Sequence, residues 1–150
     1  MKSGMRKFSE GCIYVYFARG PMKIDHVAIW VKDIDKVCEF YQKYFSGVVH
    51  PLYHNPTKQF TSRFVTFDEG ARLEIMHCPD MNVANLTESK SVIGLTHLSF
   101  SVGSKEKVDC LTYQMSAEGV PVVGQPRTTG DGYYESVVLD PEGNRIEITI

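Results

Sequence analysis

The chain has 150 residues, 16 Lys and Arg against 18 Asp and Glu, a formal charge of −2 and 43% hydrophobic residues. That is room for one domain with a proper core, or for two small modules sharing one. The near-neutral balance excludes the basic surface that nucleic acid or an anionic membrane requires, and no apolar run approaches a membrane span.

Residues 1–21 carry Lys2, Arg6 and Lys7 and then a short apolar run over 12–18. The run is too brief and too rich in Tyr for a secretory signal. This stretch reads as a leader or as an extra strand over 13–18, with Met22 a candidate start of the domain proper. A first strand is predicted over 24–31. Alternation sends His26, Ala28 and Trp30 to one face and Val27, Ile29 and Val31 to the other. Asp33 is an N-cap for a helix whose apolar stripe is Ile34, Val37, Cys38, Tyr41, Tyr44 and Phe45, ended by Gly47. Strands are predicted over 48–54, 60–67 and 71–77, the last two joined at Asp68-Glu69-Gly70. Polar residues over 79–93 connect this module to the next.

The plan then repeats. A strand is predicted over 95–102. Ser104 caps a helix with the stripe Val108, Leu111, Thr112 and Met115, ended by Gly119. A short strand over 120–123 leads into a Gly-rich loop over 124–132. Strands follow over 133–139 and 144–150, with the turn Asp140-Pro141-Glu142-Gly143 between them. The first module thus covers about 22–78 and the second about 94–150. A repeat of this length sets the architecture: an α+β domain over 22–150, built of paired βαβββ modules around a cup-shaped mixed sheet.

The repeat also duplicates chemistry. His26 and Glu74 in the first module recur about 70 residues later as His97 and Glu147. On each Glu strand the carboxylate alternates with Leu73 and Ile75, or with Ile146 and Ile148. The larger apolar face belongs against the helices, which leaves the His and Glu side chains on the concave side. Two imidazoles and two carboxylates suit a divalent first-row ion (Zn, Ni, Co, Mn or Fe) with room for water, rather than a closed thiolate zinc site. The four cysteines form no CxxC; Cys38 and Cys110 lie on the helical patterns and read as buried thiols, in keeping with a reducing, cytoplasmic setting.

At Asp25-His26-Val27-Ala28-Ile29, the Phe40-Tyr41 pair, Gly94-Leu95-Thr96-His97-Leu98 and Asp140-Pro141-Glu142-Gly143-Asn144-Arg145-Ile146-Glu147, the chain resembles the vicinal oxygen chelate superfamily. That superfamily includes glyoxalase I, methylmalonyl-CoA epimerase, extradiol dioxygenases and the fosfomycin- and bleomycin-resistance proteins. The resemblance implies a metal-holding cup, a small-molecule substrate and a homodimer. The order His26, Glu74, His97, Glu147 is most similar to the compact bacterial glyoxalase I, a lactoylglutathione lyase. It implies a metal-bound enediolate, with Glu147 or Glu74 carrying the proton between adjacent carbons. Two positions depart from glutathione-using members. Trp30 stands where they have Arg, four residues after the first ligand, and Thr128-Thr129-Gly130-Asp131-Gly132-Tyr133-Tyr134 replaces their Lys-Gly-Gly element. Trp30, Tyr133 and Tyr134 are candidates for a substrate pocket, with Arg127 and Asp131 bordering it; Arg63 and Arg72 are left without roles. The alternatives from the same superfamily are a small-molecule binding or resistance protein, an epimerase and a dioxygenase.

Overall fold

The computed structural model describes residues 23–81 and 94–150. The possible leader or extra strand over 1–21 and most of the connection over 79–93 lie outside these residues. In chain order the elements are β1 (His26–Trp30), α1 (Ile34–Phe45), β2 (Val48–Val49), β3 (Tyr53–Asn55), β4 (Phe60–Thr66) and β5 (Arg72–His77). The second module follows with β6 (Leu98–Ser101), α2 (Lys105–Ala117), β7 (Val122–Thr128), β8 (Tyr134–Leu139) and β9 (Arg145–Thr149). The fold is α+β, two βαβββ modules as the repeat predicts. Each sheet is mixed: β1 runs parallel to β5 and β6 parallel to β9, while the other pairs are antiparallel. The strand orders are β1-β5-β4-β2, with β3 beside β4, and β6-β9-β8-β7, so the described chain holds two sheets, not one continuous one.

Local chemistry accounts for where these elements differ from the expected ones. The strand expected over 48–54 is split into β2 and β3: His50 still donates its N–H to the Phe64 carbonyl at 2.9 Å, but Pro51 has no N–H to continue the β4 ladder. Asp33 does cap α1, accepting a hydrogen bond from the Lys36 N–H at 3.0 Å. The left-handed residue at its other end is Ser46 (φ 54), not Gly47. Gly47 is needed for space: a Cβ there would lie 2.6 Å from Val65 Cγ1. The expected loop over 124–132 is largely β7. Gly124 sits inside that strand because Val137 is 3.2 Å from where its Cβ would be, and the pairing shifts register on either side. Pro126 is tolerated because β7 is an edge strand. Cys38 is buried, and that burial pushes its thiol up to about 11. Cys110 is exposed, contrary to the expectation, because it falls between the inward positions Val108, Thr112 and Met115 of α2.

One apolar cluster spans both modules, with Tyr41, Val65 and Ile75 from the first and Val108, Met115, Ile146 and Ile148 from the second all fully buried. The seam runs through α1. The Phe45 and Phe100 rings lie 4.3 Å apart and Phe67 is 5.0 Å from Phe100, on the inward face of β6. Polar contacts lock the seam. Glu142 accepts hydrogen bonds from the Lys32 and Asp33 N–H groups at 2.8 and 3.1 Å. Buried Asp140 accepts from the N–H groups of Glu142 and Asn144, from Asn144 Nδ2 and from Tyr41 Oη. A carboxylate so placed organises the 140–143 turn and ties it to the other module. Asp140→Ala is expected to cost about 3 kcal/mol, since charge-assisted bonds carry about 1.5–3 each and do not add. Tm should fall by about 10 °C, and Tyr41→Phe by clearly less.

Glu118 closes the same seam, accepting from Tyr44 Oη at 2.6 Å and pairing with Lys43. Lys43 first, then Tyr44 and Gln114, hold its carboxyl at about 2, below the usual 4.5. A carboxylate depressed on folding contributes stability above its unfolded pKa and loses it as pH falls toward the folded one. Glu118→Gln should therefore flatten the loss of stability between about pH 4.5 and 2, read as thermal midpoints across that range.

Candidate functional site

In each sheet the face turned to the helices is apolar, and the opposite face carries the duplicated ionisable residues. Leu73 and Ile75 are buried on one side of β5, with Glu74 on the other; Ile146 and Ile148 flank Glu147 in the same way on β9. His26 is on the outward face of β1. His97 lies one residue ahead of β6, not inside the expected strand, and reaches the same face as Glu147. Parallel pairing of β1 with β5 and of β6 with β9 sets each His beside its Glu. The separations are 3.8 Å from His26 Nε2 to Glu74 Oε2 and 3.6 Å from His97 Nε2 to Glu147 Oε2.

These distances permit a shared ion. Two ligands, each about 2.1 Å from one ion, lie about 3.4 Å apart at a tetrahedral angle, and the pairs here are only slightly wider. Neighbouring side chains hold both couples. His26 Nδ1 bonds Asp25 Oδ2 at 2.9 Å, which leaves Nε2 facing Glu74. Arg72 also pairs with Asp25, and its guanidinium lies 4.4 Å over the Phe64 ring, which in turn meets His26 edge-on. The His26 hydrogen bond, then Arg72, hold the Asp25 carboxyl below its usual range. In the second module Ser99 Oγ donates to Glu147 Oε1 at 2.7 Å. Burial, then the charge of Glu147, push the Glu135 carboxyl up; Arg127, 3.3 Å away, opposes this.

The two pairs do not come together within one chain. Among the described residues no three His, Cys, Asp or Glu side chains converge. The reason is the seam: Phe45, Tyr41 and Phe67 of one module meet Phe100 of the other on the helix-facing sides, so the modules stand back to back and their His–Glu faces turn outward. A cleft of about 990 Å³ opens between the modules, lined by residues such as Tyr44, Phe67, Phe100 and Lys107. None of the four His and Glu residues lines it, although Arg72 and Ser99, which hold Asp25 and Glu147, stand at its edge.

The other candidates divide. Trp30 is on the His26 face and 53% exposed. Tyr133 is exposed, and its carbonyl accepts from the Thr129 N–H at 2.8 Å, as a turn residue. Tyr134 is on the helix-facing side: its hydroxyl donates to Asp109 at 2.7 Å and Lys105 lies over its ring. Its alternation with Ser136 and Val138 on β8, both buried, carries that placement in the sequence itself. Arg127 pairs with Glu135, and Asp131 accepts from Thr129 Oγ1. Arg63 turns to α1, 3.4 Å from Asp35, whereas Arg72 shares the face of Glu74. Asp25, Ser99 and Glu135 were not singled out from the sequence. Ser99 left a signal there, since it shares the parity of His97 on the expected strand, and Asp25 stands beside His26; the place of Glu135 needed the register of β8 with β9.

Two back-to-back βαβββ modules, each with its own mixed sheet, define the architecture of one superfamily. The model of the Glyoxalase/Bleomycin resistance protein/Dioxygenase superfamily matches residues 23–148, and the chain belongs to that superfamily. A stretch of 59 residues, 37% of this chain, is 36% identical to the uncharacterized protein YqjT of Bacillus subtilis and spans 46% of that protein. Among solved structures, SMU.1112c superposes with a TM-score of 0.71 at 25% identity, over 87% of this chain and 100% of that one. The trypanothione-dependent glyoxalase I of Leishmania major superposes with a TM-score of 0.64 at 22% identity, over 85% and 86% of the two chains. At that identity the second likeness is one of fold alone. Members of the superfamily typically use divalent metals, bind small molecules and are often dimeric. Among the described residues no helix is long and apolar enough to cross a membrane.

Proposed function

We propose that this chain is a divalent-metal-dependent lyase or isomerase of the glyoxalase I type, acting on a small substrate with two neighbouring oxygens. The observation that carries the reading is the pair of outward His–Glu couples, 3.8 and 3.6 Å apart, at equivalent places in the two modules. Each couple offers one neutral nitrogen and one carboxylate oxygen, a donor set suited to a borderline divalent ion. Each is only half of a four-ligand set. In this reading His26 and Glu74 of one protomer meet His97 and Glu147 of a second copy, and a twofold homodimer carries two such sites.

When bound, the ion supplies a Lewis acid that acidifies a carbon next to a carbonyl. The protein supplies the rest. Glu147 is the better placed of the two carboxylates to take and return the proton, because Ser99 fixes one of its oxygens and leaves the other facing His97. Glu74, at 16% side-chain exposure, is walled by His26 and Phe64. It serves as the second carboxylate, and Asp25 holds the imidazole beside it. Trp30 stands where a charged hold on a glutathione carboxylate would be needed, so glutathione adducts are poor substrates in this reading.

Metal content of the protein as purified, followed by assay with the methylglyoxal–glutathione hemithioacetal, tests it. About one ion per chain with weak hemithioacetal turnover is the expected result. Efficient turnover would move the assignment to glyoxalase I proper. No uptake of zinc, nickel, cobalt or manganese would refute the metal reading.

A further inference from the structure

The two modules repeat an arginine as well as a His–Glu couple. Arg72 and Arg145 each stand two residues before the Glu of their module, on the same outward face. Register sets each beside its His. Arg72 pairs with His26, and the pairing of Leu98 with Ile146, continued by one residue, puts His97 next to Arg145. The two guanidiniums differ in what surrounds them. Arg72 is engaged within the protein: it pairs with Asp25, lies 4.4 Å over the Phe64 ring, and its N–H donates to the Asp25 carbonyl at 3.0 Å. In the second module Thr96 stands where the first has Asp25, and Val137 faces Glu147 where Phe64 faces Glu74. Arg145 is exposed, and among the described residues its side chain has no ion pair, hydrogen bond or ring partner. The carboxylates on its face are engaged elsewhere, Glu147 with Ser99 and His97, and Glu135 with Arg127.

A guanidinium beside the His97–Glu147 couple, with no carboxylate of its own, is suited to an oxyanion. It is charged at every working pH, and its planar fork offers parallel N–H donors to a carboxylate or sulfonate. The Arg145 Cα lies about 4.8 Å from that of His97, one strand spacing, and about 7 Å from that of Glu147, two residues along β9. An anion held there is next to whatever binds at the couple. We infer that Arg145 is the specificity-determining residue for an anionic group of the substrate, so that the substrate is a small acid carrying a further oxyanion beside its two neighbouring oxygens. This rests on the metal reading for the oxygen pair and on the unpaired guanidinium alone for the charge. Arg145 does not restore a hold on glutathione, whose carboxylates stand at the ends of a tripeptide, away from the reacting oxygens.

The probes are 3-sulfolactate and 2-hydroxybutyrate, which offer the same hydroxyl and carboxylate oxygens and differ in sulfonate against methyl. A sulfonate is a poor ligand for zinc, so a gain from it reports on the protein. With the zinc-loaded full-length protein, calorimetry is expected to show sulfolactate binding about tenfold more tightly than 2-hydroxybutyrate. Arg145→Met should bring the two affinities within about twofold, with zinc content retained. Arg145→Lys, which keeps the charge without the fork, should hold a preference of about threefold. The side chain is exposed, so neither change removes core packing, and circular dichroism checks the fold. Equal binding of the two acids by the unaltered protein would overturn the assignment and leave the metal reading standing. So would a preference for sulfolactate that survives in Arg145→Met. Loss of zinc from Arg145→Met would overturn it too, by making Arg145 a support of the couple. If no metal binds to the unaltered protein, the metal reading fails separately. The side-chain Nε–H resonance of Arg145, identified by its absence in Arg145→Met, then decides the charge. A saturable shift with sulfolactate but not with 2-hydroxybutyrate supports the assignment, and no shift overturns it.

Discussion

Replacing His97 and Glu147 together by alanine is expected to abolish stoichiometric metal binding and, with it, all turnover. Loss of a group that merely orients a ligand typically lowers metal affinity by 10–100-fold, so loss of two ligands should cost at least about a hundredfold. The milder Glu147→Gln keeps the shape but offers a neutral oxygen and no base. It should lower both metal occupancy and rate, the rate by more. Affinity should also fall on acidification, because the imidazoles must be neutral and the carboxylates ionised to bind. Calorimetric titration with zinc or nickel at several pH values measures the binding, and turnover of the metal-loaded proteins measures the rate. Full metal retention in the double variant would exclude the site.

The second result concerns how the halves meet. If His26 and Glu74 of one copy join His97 and Glu147 of another, a protein lacking the first couple can complement a protein lacking the second. Mixing the inactive variants His26→Ala/Glu74→Ala and His97→Ala/Glu147→Ala, with dimer exchange allowed, should restore about a quarter of the wild-type sites. Random pairing makes about half of the dimers mixed, and each mixed dimer regains one intact site of its two. A site closed within one chain predicts no recovery at all. The back-to-back seam of Phe45, Phe67 and Phe100 is the physical basis for expecting recovery, since it turns the two faces apart. The seam also suggests a control. Asp140→Ala loosens the contact between modules without touching a ligand, so it should lower Tm more than it lowers metal affinity.

By itself the sequence determined the repeat, and with it the number and type of modules. Strand alternation is a local property, so the outward placement of Glu74 among Leu73 and Ile75, and of Glu147 among Ile146 and Ile148, could be read directly. The caps at Asp33 and Ser104 could be read for the same reason. What depends on contacts between distant residues could not. Glycine is required at 124 because Val137 on β8 fills the space of a side chain there, and at 47 because of Val65 on β4; neither neighbour is close in sequence. That Trp30, Phe60 and Tyr53 share one face needs the register of four strands. Above all, the repeat says that two His–Glu couples exist but not whether they face each other. That was decided by the apolar seam through α1: Tyr41, Phe45 and Phe100 pack together on the helix-facing sides and take apolar surface out of water there, so the couples point apart.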